Sequence, residues 1–245
     1  MYGKSMAEIY DLVYRSRGKD FHGEAKLILD IVRSRQPVTE SLLDVACGTA
    51  EHLSHLRKHV PDVMGVEISP SMLAVARSKL TDVPLHQGDM RDFDLGRGFD
   101  AVTCLFSSVA YMRSVDELNV AVGRMSDHLN PGGVIVIDPW WFPENFLDGY
   151  IAGDTVRGDS LAVARVARST REGNATRVEA HYLVADPSGI HHFTDTQSIT
   201  LFEKKDYLAA LEVVGCQAAY LEGALSARGL FVGVRQTPTP EALTD

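Results

Sequence analysis

The chain contains the octapeptide Leu43-Asp44-Val45-Ala46-Cys47-Gly48-Thr49-Ala50, in which a short apolar run passes into small residues. The apolar run predicts a buried strand, and the pattern that follows from Glu51 predicts a helix. Small residues between a strand and a helix let the backbone approach a ligand closely, and the first turn of a helix offers unpaired N–H groups. The octapeptide therefore predicts a ligand-binding turn in an α/β fold.

Strand and helix patterns alternate on both sides of this turn, which is typical of a parallel sheet with helices on both faces. Ser69 and Pro70 mark the cap and first turn of one helix. Pro131-Gly132-Gly133 marks a turn from a helix to a strand. The predicted strands cover residues 41–45, 63–67, 85–87, 99–106 and 134–137, and the predicted helices cover 51–59, 71–80 and 115–129. The sequence thus predicts a doubly wound α/β sheet.

Further segments surround this core. Helical spacing of apolar residues predicts two helices within the first forty residues, which would form an N-terminal helical cap. Three β-like segments, near 161–170, 176–185 and 190–201, predict an inserted antiparallel β-sheet. A helix over 203–214 and strands at 217–221 and 230–234 close the fold.

The composition is that of an ordinary globular chain with an acidic balance. Apolar residues make up 45% and charged residues 23% of the 245 residues, which excludes a disordered or fibrous class. The 24 Lys and Arg against 33 Asp and Glu give a net charge of −9, a field that repels nucleic acid. No apolar stretch is long enough to span a bilayer, and the first residues carry no secretion signal. We expect a cytoplasmic protein with neither a nucleic-acid nor a membrane partner.

Neither a disulfide framework nor a metal site is indicated. Cys47, Cys104 and Cys216 are far apart and lie outside any Cys-x-x-Cys spacing. His191 and His192 are adjacent, and neighbours on a strand point to opposite faces, so they are a poor chelating pair. We expect no bound metal.

Acidic residues after the next two strands indicate which ligand the turn binds. Glu67 lies 19 residues after Gly48 at the end of a strand, where a carboxylate accepts both hydroxyls of a ribose. Asp89 follows the third strand and can accept from an adenine amine. A nicotinamide dinucleotide site needs a third glycine, and aligning its first two on Ala46 and Gly48 puts Glu51 there, where a carboxylate would repel a pyrophosphate. S-adenosylmethionine fits better, because it carries an adenosine and a cationic sulfonium but no phosphate.

These motifs resemble, in order and spacing, the signature of the class I S-adenosylmethionine-dependent methyltransferases, which have a Rossmann-like sheet. The matching segments are 44–50, 67, 88–89 and 131–133. Over nearly the whole chain the sequence also resembles the TDP-amino-sugar N,N-dimethyltransferases of desosamine and mycaminose biosynthesis, through segments 88–93, 106–108, 138–144, 171–177 and 228–231. It departs from that family at Ala50, a position usually filled by glycine, and over 223–227, which leaves the exact sugar specificity open.

The resemblance implies S-adenosylmethionine as the cofactor and a set of residues around it. Glu67 would hold the ribose, Met72 would cover the adenine, and Lys19 would pair with the methionyl carboxylate. Core packing is the alternative for Met72 and Phe106, and a solvated side chain is the alternative for Lys19. The candidate cofactor-binding residues are Tyr10, Lys19, Ala46, Gly48, Glu67, Met72, Asp89, Met90 and Phe106.

Tyr111 is the candidate catalytic residue. It follows the fourth strand, at the edge where ligands sit in open α/β sheets. There it would orient the acceptor amine or accept its proton, and the alternative is a half-buried core tyrosine. Methyl transfer is an in-line displacement in which the protein mainly supplies position, so a strong base is not required.

Aromatic residues and arginines are the candidates for the acceptor. Three adjacent aromatics at 140–142 are expected to form an apolar wall for a deoxysugar, or else to cover the inserted sheet. Guanidinium groups bind phosphate oxygens well, so three arginines are candidates for binding the diphosphate of a TDP-sugar. Arg228 is the favoured candidate. For the other two, a position on the protein surface is an equally good interpretation. The candidate substrate-binding residues are Tyr2, Trp140, Trp141, Phe142, Arg165, Arg177 and Arg228.

The combined expectation is an enzyme that uses S-adenosylmethionine to dimethylate the amine of a TDP-3-amino-deoxyhexose, in the biosynthesis of antibiotic sugars such as those of macrolides. The alternatives are an N-methyltransferase for a TDP-4-amino sugar, a methyltransferase for another small acceptor, and a non-catalytic cofactor-binding protein. Residues 1–139 would be the cofactor-binding core with its helical cap, 140–202 the antiparallel β insertion, and 203–245 the helix and strands that complete the core. Family likeness implies a homodimer made by the inserted sheet.

Overall fold

The computed structural model describes residues 3–237, which form two β-sheets and six α-helices. The helices are α1 (Lys4–Ser16), α2 (Phe21–Arg33), α3 (Glu51–Leu56), α4 (Pro70–Lys79), α5 (Val115–Asp127) and α6 (Lys204–Val213). The strands are β1 (Ser41–Val45), β2 (Asp62–Glu67), β3 (Leu85–Gln87), β4 (Phe99–Cys104), β5 (Leu129–Ile137), β6 (Tyr150–Arg157), β7 (Ala162–Glu172), β8 (Ala175–Asp186), β9 (Gly189–Thr200), β10 (Cys216–Leu221) and β11 (Leu230–Arg235). A short 3₁₀ helix covers Ser108–Tyr111. Within this part of the chain, every helix is too short or too polar to cross a membrane.

The larger sheet has seven strands in the order β10-β11-β5-β4-β1-β2-β3. β1 pairs in parallel with both β2 and β4, whereas β11 runs antiparallel to β5 and β10. The strand order reverses between β1 and β4, and ligands of open α/β sheets bind beyond the carboxyl ends of the strands at such a point. The doubly wound α/β fold predicted from the alternating pattern is confirmed.

Helices cover both faces of this sheet, so its central strands are buried along their length. All five residues of β1 are buried. The core on one face includes Ile28 of α2 and Leu53 and Leu56 of α3, and the core on the other face includes Leu118 of α5 and Leu211 of α6. Burial on both faces explains why β1 is a nearly continuous apolar run rather than an alternating one.

The two helices predicted at the N-terminus are present, and α1 joins the two sheets. Its apolar side chains Met6, Ile9, Tyr10 and Val13 are buried in one cluster with Met72 of α4 and with inward-facing residues of β7 and β8. α1 is therefore held on one side by the larger sheet's α4 and on the other by the second sheet.

The second sheet is an antiparallel meander of four strands in the order β6-β7-β8-β9. Residues of β7 alternate between buried and more exposed positions, with Val163, Arg165 and Ala167 buried. Tyr182 of β8 stacks on Phe193 of β9 with ring centroids 4.9 Å apart. One face of this sheet therefore packs inward, and the other faces solvent.

The three strands predicted in this region are present as β7, β8 and β9, and the sheet has a fourth strand, β6, that the sequence did not predict. Ala152, Gly153 and Asp154 lie in its middle, and these residue types are depleted from strands. All eight residues of β6 pair with β7, and this pairing supplies what the local sequence lacks.

The turn expected at Pro131-Gly132-Gly133 is also wrong, because these residues lie inside β5, which begins at Leu129. The pairing with β4 shifts register around them, from Phe99 with Leu129 to Ala101 with Val134. Gly132 has a φ of +79°, a conformation that glycine adopts without strain. The tripeptide thus forms an irregularity within the strand.

Candidate active site

Two cavities adjoin at the carboxyl edge of the seven-stranded sheet. The first, of about 580 Å³, is lined by the octapeptide turn, the end of β2 and the segments after β3 and β4. The second, of about 730 Å³, is lined by the α1–α2 connection, residues 140–150 and the inner face of the second sheet. Residues that line both are Tyr10, Phe106, Ser108, Tyr111 and Gln197.

The structure brings most of the predicted site residues to these cavities. Of the candidates, the first cavity is lined by Tyr10, Ala46, Gly48, Glu67, Met72, Asp89, Met90, Phe106, Tyr111 and Arg177. The second is lined by Tyr10, Lys19, Phe106, Tyr111, Trp140, Trp141, Arg165 and Arg228. Tyr2 lies outside the described residues.

The turn after β1 presents its backbone to the first cavity. Ala46, Gly48 and Ala50 have φ values of +59°, +58° and +61°, in the left-handed region that favours glycine. A Cβ at Gly48 would meet no atom within 4 Å, so space remains above the turn. Ala50, where the resemblance in the sequence leads us to expect glycine, therefore adopts the conformation that glycine favours.

Glu67 closes this turn from the end of β2. Its Oε2 accepts a hydrogen bond from the Gly48 N–H at 3.0 Å, and its Oε1 accepts one from the Ser69 N–H at 2.8 Å. The side chain is 7% exposed, and burial raises its pKa above the usual value, against the backbone hydrogen bonds that favour the charged form. A carboxylate fixed at this position suits the two hydroxyls of a ribose.

Asp44 is a second carboxylate at the first cavity, and the sequence-based candidates did not include it. It is 2% exposed, and its Oδ1 accepts a hydrogen bond from the Thr103 hydroxyl at 2.7 Å. Burial raises the pKa of Asp44 to about 6. An acid inside an apolar strand was the available signal, since burying a charge is costly unless it serves a partner.

Asp89 lines the first cavity, and its carboxylate is ion-paired with Arg91. Its two carboxylate oxygens accept from Arg91, at 2.6 Å from Nη2 and 3.0 Å from Nε. Arg91 also donates to Glu117 at 3.0 Å, and its hydrogen bonds to Asp89 hold the pKa of that carboxyl below the usual range. Met72, at 1% exposure, lies in the cluster that α1 makes with α4 and also lines the cavity.

A network of polar side chains connects α1 to the turn after β1. Thr49 donates to Asp11 of α1 at 2.5 Å, and Lys79 donates to both Asp11 and Glu51 at 2.7 Å. Arg15 donates to Glu51 at 2.6 Å, and Glu51 is only 4% exposed. The turn is thereby fixed to α1 as well as to the sheet.

Phe106 stands at the boundary between the two cavities, and its ring is surrounded by residues of the N-terminal helices. The Tyr14 ring meets it edge-on at 4.8 Å, and the Lys19 Nζ lies 4.2 Å from its centroid. Lys19 is ion-paired with Glu24 at 2.7 Å and is 13% exposed, so it is not a solvated side chain. It lines the second cavity rather than the first.

Tyr111 ends the 3₁₀ helix after β4 and reaches the inserted sheet. Its hydroxyl donates to Gln197 Oε1 at 2.5 Å, and Gln197 Nε2 donates to Asp195 Oδ2 at 2.7 Å. Both partners lie on β9 and face inward. No motif marks Gln197 or Asp195 in the sequence, because only the fold brings β9 to the end of β4.

Arg228 is a cation of the second cavity whose guanidinium is held by polar and aromatic contacts. Its Nε donates to the Pro139 carbonyl at 3.0 Å, and its Nη2 lies 3.6 Å from Asp138 Oδ1. Its guanidinium lies over the rings of Trp140 and Trp141, 5.8 and 5.4 Å from their centroids. Asp138 is fully buried, and burial raises its pKa while Arg228 opposes the shift. Arg228 therefore places a positive charge at the second cavity while its guanidinium packs on the two tryptophan rings.

The other two arginines are in different places. Arg165 is buried, donates to the Tyr182 hydroxyl at 3.2 Å and to Asp154 at 3.3 Å, and lines the second cavity, so it is not a surface residue. Arg177 is half exposed at the rim of the first cavity and pairs with Glu179 at 3.4 Å. The three arginines therefore do not form one cluster.

Phe142 corrects one expectation, because it lines neither cavity. It is 0% exposed and packs against Tyr207, Tyr220 and Phe231 in the core. Trp140 and Trp141 line the second cavity, whereas the third aromatic is buried in the core. The apolar wall is made by the two tryptophans alone among these three residues.

Comparisons with known proteins agree with this site. Residues 42–133 match the family model described as a methyltransferase domain. The chain is 55% identical over 235 residues, 96% of this chain and 99% of the relative, to the dTDP-3-amino-3,4,6-trideoxy-alpha-D-glucopyranose N,N-dimethyltransferase of Streptomyces venezuelae. It is 45% identical over 235 residues, 96% of this chain and 94% of the relative, to the dTDP-4-amino-2,3,4,6-tetradeoxy-D-glucose N,N-dimethyltransferase of Saccharopolyspora spinosa. A solved structure of S-adenosylmethionine-bound CalS10, an amino pentose methyltransferase from Micromonospora echinaspora involved in calicheamicin biosynthesis, matches with a TM-score of 0.86 at 49% identity, over 96% of this chain and 98% of CalS10.

The strand order, the glycine-like turn after β1 and the acid at the end of β2 define a class I S-adenosylmethionine-dependent methyltransferase. The first cavity fits this cofactor, because it offers carboxylates for hydroxyl and cationic groups and an apolar side chain in Met72. Within this class, the chain belongs to the family of TDP-amino-sugar N,N-dimethyltransferases. The resemblance drawn from the motifs is confirmed, and so is S-adenosylmethionine as the cofactor.

Proposed function

We propose that this enzyme transfers two methyl groups in succession from S-adenosylmethionine to the C3 amine of a TDP-3-amino-deoxyhexose. The observation that carries the proposal is the junction of the two cavities at Phe106 and Tyr111. A methyl donor in the first cavity and an acceptor in the second would meet there. The 55% identity to an enzyme named for a 3-amino sugar supports the choice of amine.

The second cavity has the chemistry of a sugar-nucleotide site. Arg228 is a fixed cation over two aromatic rings, and planar guanidinium groups bind phosphate oxygens well. Trp140 and Trp141 offer apolar faces to a deoxysugar or a thymine ring. We assign the diphosphate to Arg228, with Arg165, which lines the same cavity, as a second cation.

The chain contributes position rather than a strong base. When bound, S-adenosylmethionine supplies a methyl group on a positively charged sulfur that an amine lone pair can attack. Glu67 holds the ribose end, and the negative charges of Asp44 and Glu67 favour a cationic ligand in the first cavity. Tyr111 lies where the acceptor amine would arrive. Positioning of two reactants in this way is worth about 7–11 kcal/mol of the barrier. The second transfer needs the monomethyl amine to return to the same place.

We also propose that a second copy of the chain pairs with the exposed face of the second sheet. Ile151, Val166 and Leu183 lie on this face and are 69%, 60% and 50% exposed, and adjacent exposed apolar side chains mark interfaces. Val166→Glu should convert a homodimer to a monomer in light scattering, whereas Thr155→Ala, a polar change on the same face, should not. A wild-type mass of one chain at micromolar concentration would rule out the dimer.

We propose the division of the chain into a cofactor-binding core at 1–139, an acceptor-side insertion at 140–202 and a completing segment at 203–245. Arg165 and Gln197 of the insertion line the second cavity, which supports this division. We further propose a cytoplasmic location and a role in antibiotic sugar biosynthesis. The three cysteines are free and buried, as is usual in a reducing compartment, and CalS10 serves calicheamicin biosynthesis.

A TDP-4-amino sugar is the second candidate acceptor, and the name of one relative favours it. The relative from Saccharopolyspora spinosa is named for such a sugar. Residues 223–227, where the sequence departs from the family pattern, approach the second cavity, since Ser226 lines it and Leu225 has a φ of +65°.

Mass spectrometry of the full chain with isotopically labelled S-adenosylmethionine decides between the two acceptors. Matched TDP-3-amino and TDP-4-amino sugars are each incubated with the enzyme. We expect the 3-amino sugar to gain first one and then two labelled methyl groups. Label on the 4-amino sugar alone would support the second candidate. Cofactor binding with no label on either sugar would exclude both and support a non-catalytic protein or another acceptor.

A further inference from the structure

We infer that Gln197 and Asp195 set the direction of the hydrogen bond at Tyr111, so that the phenol oxygen accepts a hydrogen from the substrate amine and leaves the amine lone pair for methyl transfer. Gln197 and Asp195 are thus positioning residues that act through Tyr111. This inference rests on the proposed function, because it concerns an amine acceptor at the junction of the two cavities.

Asp195 determines the orientation of the Gln197 amide group. An ionised carboxylate only accepts hydrogen bonds, so the Gln197 atom 2.7 Å from Asp195 Oδ2 must be the amide nitrogen. The amide oxygen of Gln197 then faces the other way, toward Tyr111. Asp195 therefore fixes which end of the glutamine side chain the tyrosine meets.

The orientation of Gln197 in turn determines whether the Tyr111 hydroxyl donates or accepts. The Gln197 Oε1 only accepts, so the Tyr111 hydroxyl, 2.5 Å away, must donate its hydrogen to it. A phenol has one hydrogen to donate. Toward any further group, the Tyr111 oxygen can act only as an acceptor.

An amine nucleophile can react only if the Tyr111 oxygen accepts a hydrogen bond from it rather than donating one to it. A neutral primary amine has two N–H groups and one lone pair, and a tyrosine that donated would bind the lone pair and block attack. A tyrosine that accepts binds an N–H and leaves the lone pair directed elsewhere. The monomethyl amine still has one N–H, so the same arrangement serves the second transfer.

The reaction balances without a protein base. In each transfer the nitrogen lone pair forms the new N–C bond while the C–S bond breaks, and its electron pair stays on sulfur to give S-adenosylhomocysteine. The nitrogen then carries one extra proton, which it gives up to water. Tyr111 holds the amine by a hydrogen bond and is not oxidised, reduced or deprotonated.

Gln197 is suited to this role by its place in the fold. It lies on β9 of the inserted sheet and lines both cavities, as Tyr111 does. Its neighbours Phe193 and Ile199 also face inward from β9, so the strand presents this polar pair within an otherwise apolar face.

The test uses the full-length enzyme with dTDP-3-amino-3,4,6-trideoxyglucose and S-adenosylmethionine. The variants are Gln197→Met, Asp195→Asn, Tyr111→Phe and the double variant Tyr111→Phe/Gln197→Met. Thr194→Ala is the control, because Thr194 is on the same strand but faces solvent. Steady-state rates give kcat and KM for the sugar, and calorimetry gives the Kd for the cofactor.

We expect Gln197→Met to lower kcat about tenfold or more while the cofactor Kd and the sugar KM change less than threefold. Asp195→Asn should lower kcat by a smaller factor, because the glutamine amide is then free to turn round. In the Tyr111→Phe background, Gln197→Met should have no further effect on kcat, since residues that act through one group are not additive. Thr194→Ala should match the wild type.

Three results would overturn the inference. These are a wild-type kcat in Gln197→Met, a wild-type kcat in Tyr111→Phe, and a double variant whose loss is the product of the two single losses. If the wild type binds the cofactor but methylates no amino sugar, the proposed function fails first and the inference falls with it. If Gln197→Met does not bind the cofactor, Asp195→Asn decides, because it keeps the shape of the side chain.

Discussion

Replacing Arg228 by lysine tests whether this residue binds the diphosphate of the substrate in the second cavity. Lysine keeps the positive charge near the fully buried Asp138, but it cannot make the two parallel hydrogen bonds of a guanidinium group or stack on Trp140 and Trp141 in the same way. A hydrogen bond to a charged group contributes about 1.5–3 kcal/mol. Losing one such bond to the diphosphate should raise the KM for the TDP-sugar about 10- to 150-fold.

Lysine is a better choice than alanine at this position because of Asp138. Arg228→Ala would leave that carboxylate buried without its partner, and breaking a buried ion pair costs about 3–5 kcal/mol of stability. The double variant Arg228→Ala/Asp138→Asn removes both charges, so it should recover most of that stability while keeping the weakened substrate binding. Thermal denaturation measures the first effect, and initial rates measure the second.

The cofactor provides the internal control for this prediction. Arg228 lines only the second cavity, so the S-adenosylmethionine Kd of Arg228→Lys should stay within about twofold of the wild type. An unchanged KM for the TDP-sugar would refute the assignment of the diphosphate to Arg228. An equal loss of cofactor and sugar binding would show general damage to the fold instead.

Three further predictions concern the first cavity. Glu67→Gln should weaken cofactor binding at least tenfold in calorimetry. The reason is that the carboxylate accepts hydrogen bonds from two backbone N–H groups, and in the variant an amide nitrogen would face one of them. Unchanged affinity would exclude Glu67 as the ribose acceptor. Gly48→Ala should lower the Tm by about 2–8 °C, since a left-handed residue with a Cβ costs about 1–2 kcal/mol, and a Tm equal to the wild type would contradict the turn geometry. The pKa of Asp44 is about 6 when folded, above the usual 3.8, so the folded state binds more protons between these values and stability falls as pH rises through them. Asp44→Asn should therefore stabilise the cofactor-free protein at pH 8 by up to about 3 kcal/mol, with no gain near pH 4; equal stability at pH 8 would count against a buried charge.

The parts of this fold that could be predicted from the sequence depend on local or repetitive signals. The buried strand β1, the alternation of strands and helices, and the N-cap at Ser69 are of this kind, and Ser69 does accept from the Met72 N–H at 3.3 Å. The acid at Glu67 was found because its spacing from the turn reflects one strand and one helix. Burial and periodicity determine these features, so they are visible without tertiary contacts.

The parts that could not be predicted depend on tertiary pairing. β6 has poor strand residues and exists through its partner β7. Phe142 packs on Phe231 in the core while Trp141 meets Arg228 at the cavity, and these partners come from distant parts of the chain. Gln197 carries no motif and meets Tyr111, 86 residues away, only when the inserted sheet packs against the core. Polar residues supplied by a distant strand are thus the ones that sequence reasoning misses.

The two cavities depend to different degrees on the larger sheet and the inserted sheet, and this difference has an evolutionary consequence. The first cavity is built mainly on strand ends of the larger sheet, while the second draws on the inserted sheet and on residues 226 and 228. Mutations at inserted-sheet positions that line only the second cavity, such as Ala152 and Ala167, can therefore accumulate and select a new acceptor while the methyl donor stays bound as before. Relatives named for 3-amino and 4-amino sugars, at 55% and 45% identity to this chain, are the kind of divergence that such an arrangement permits.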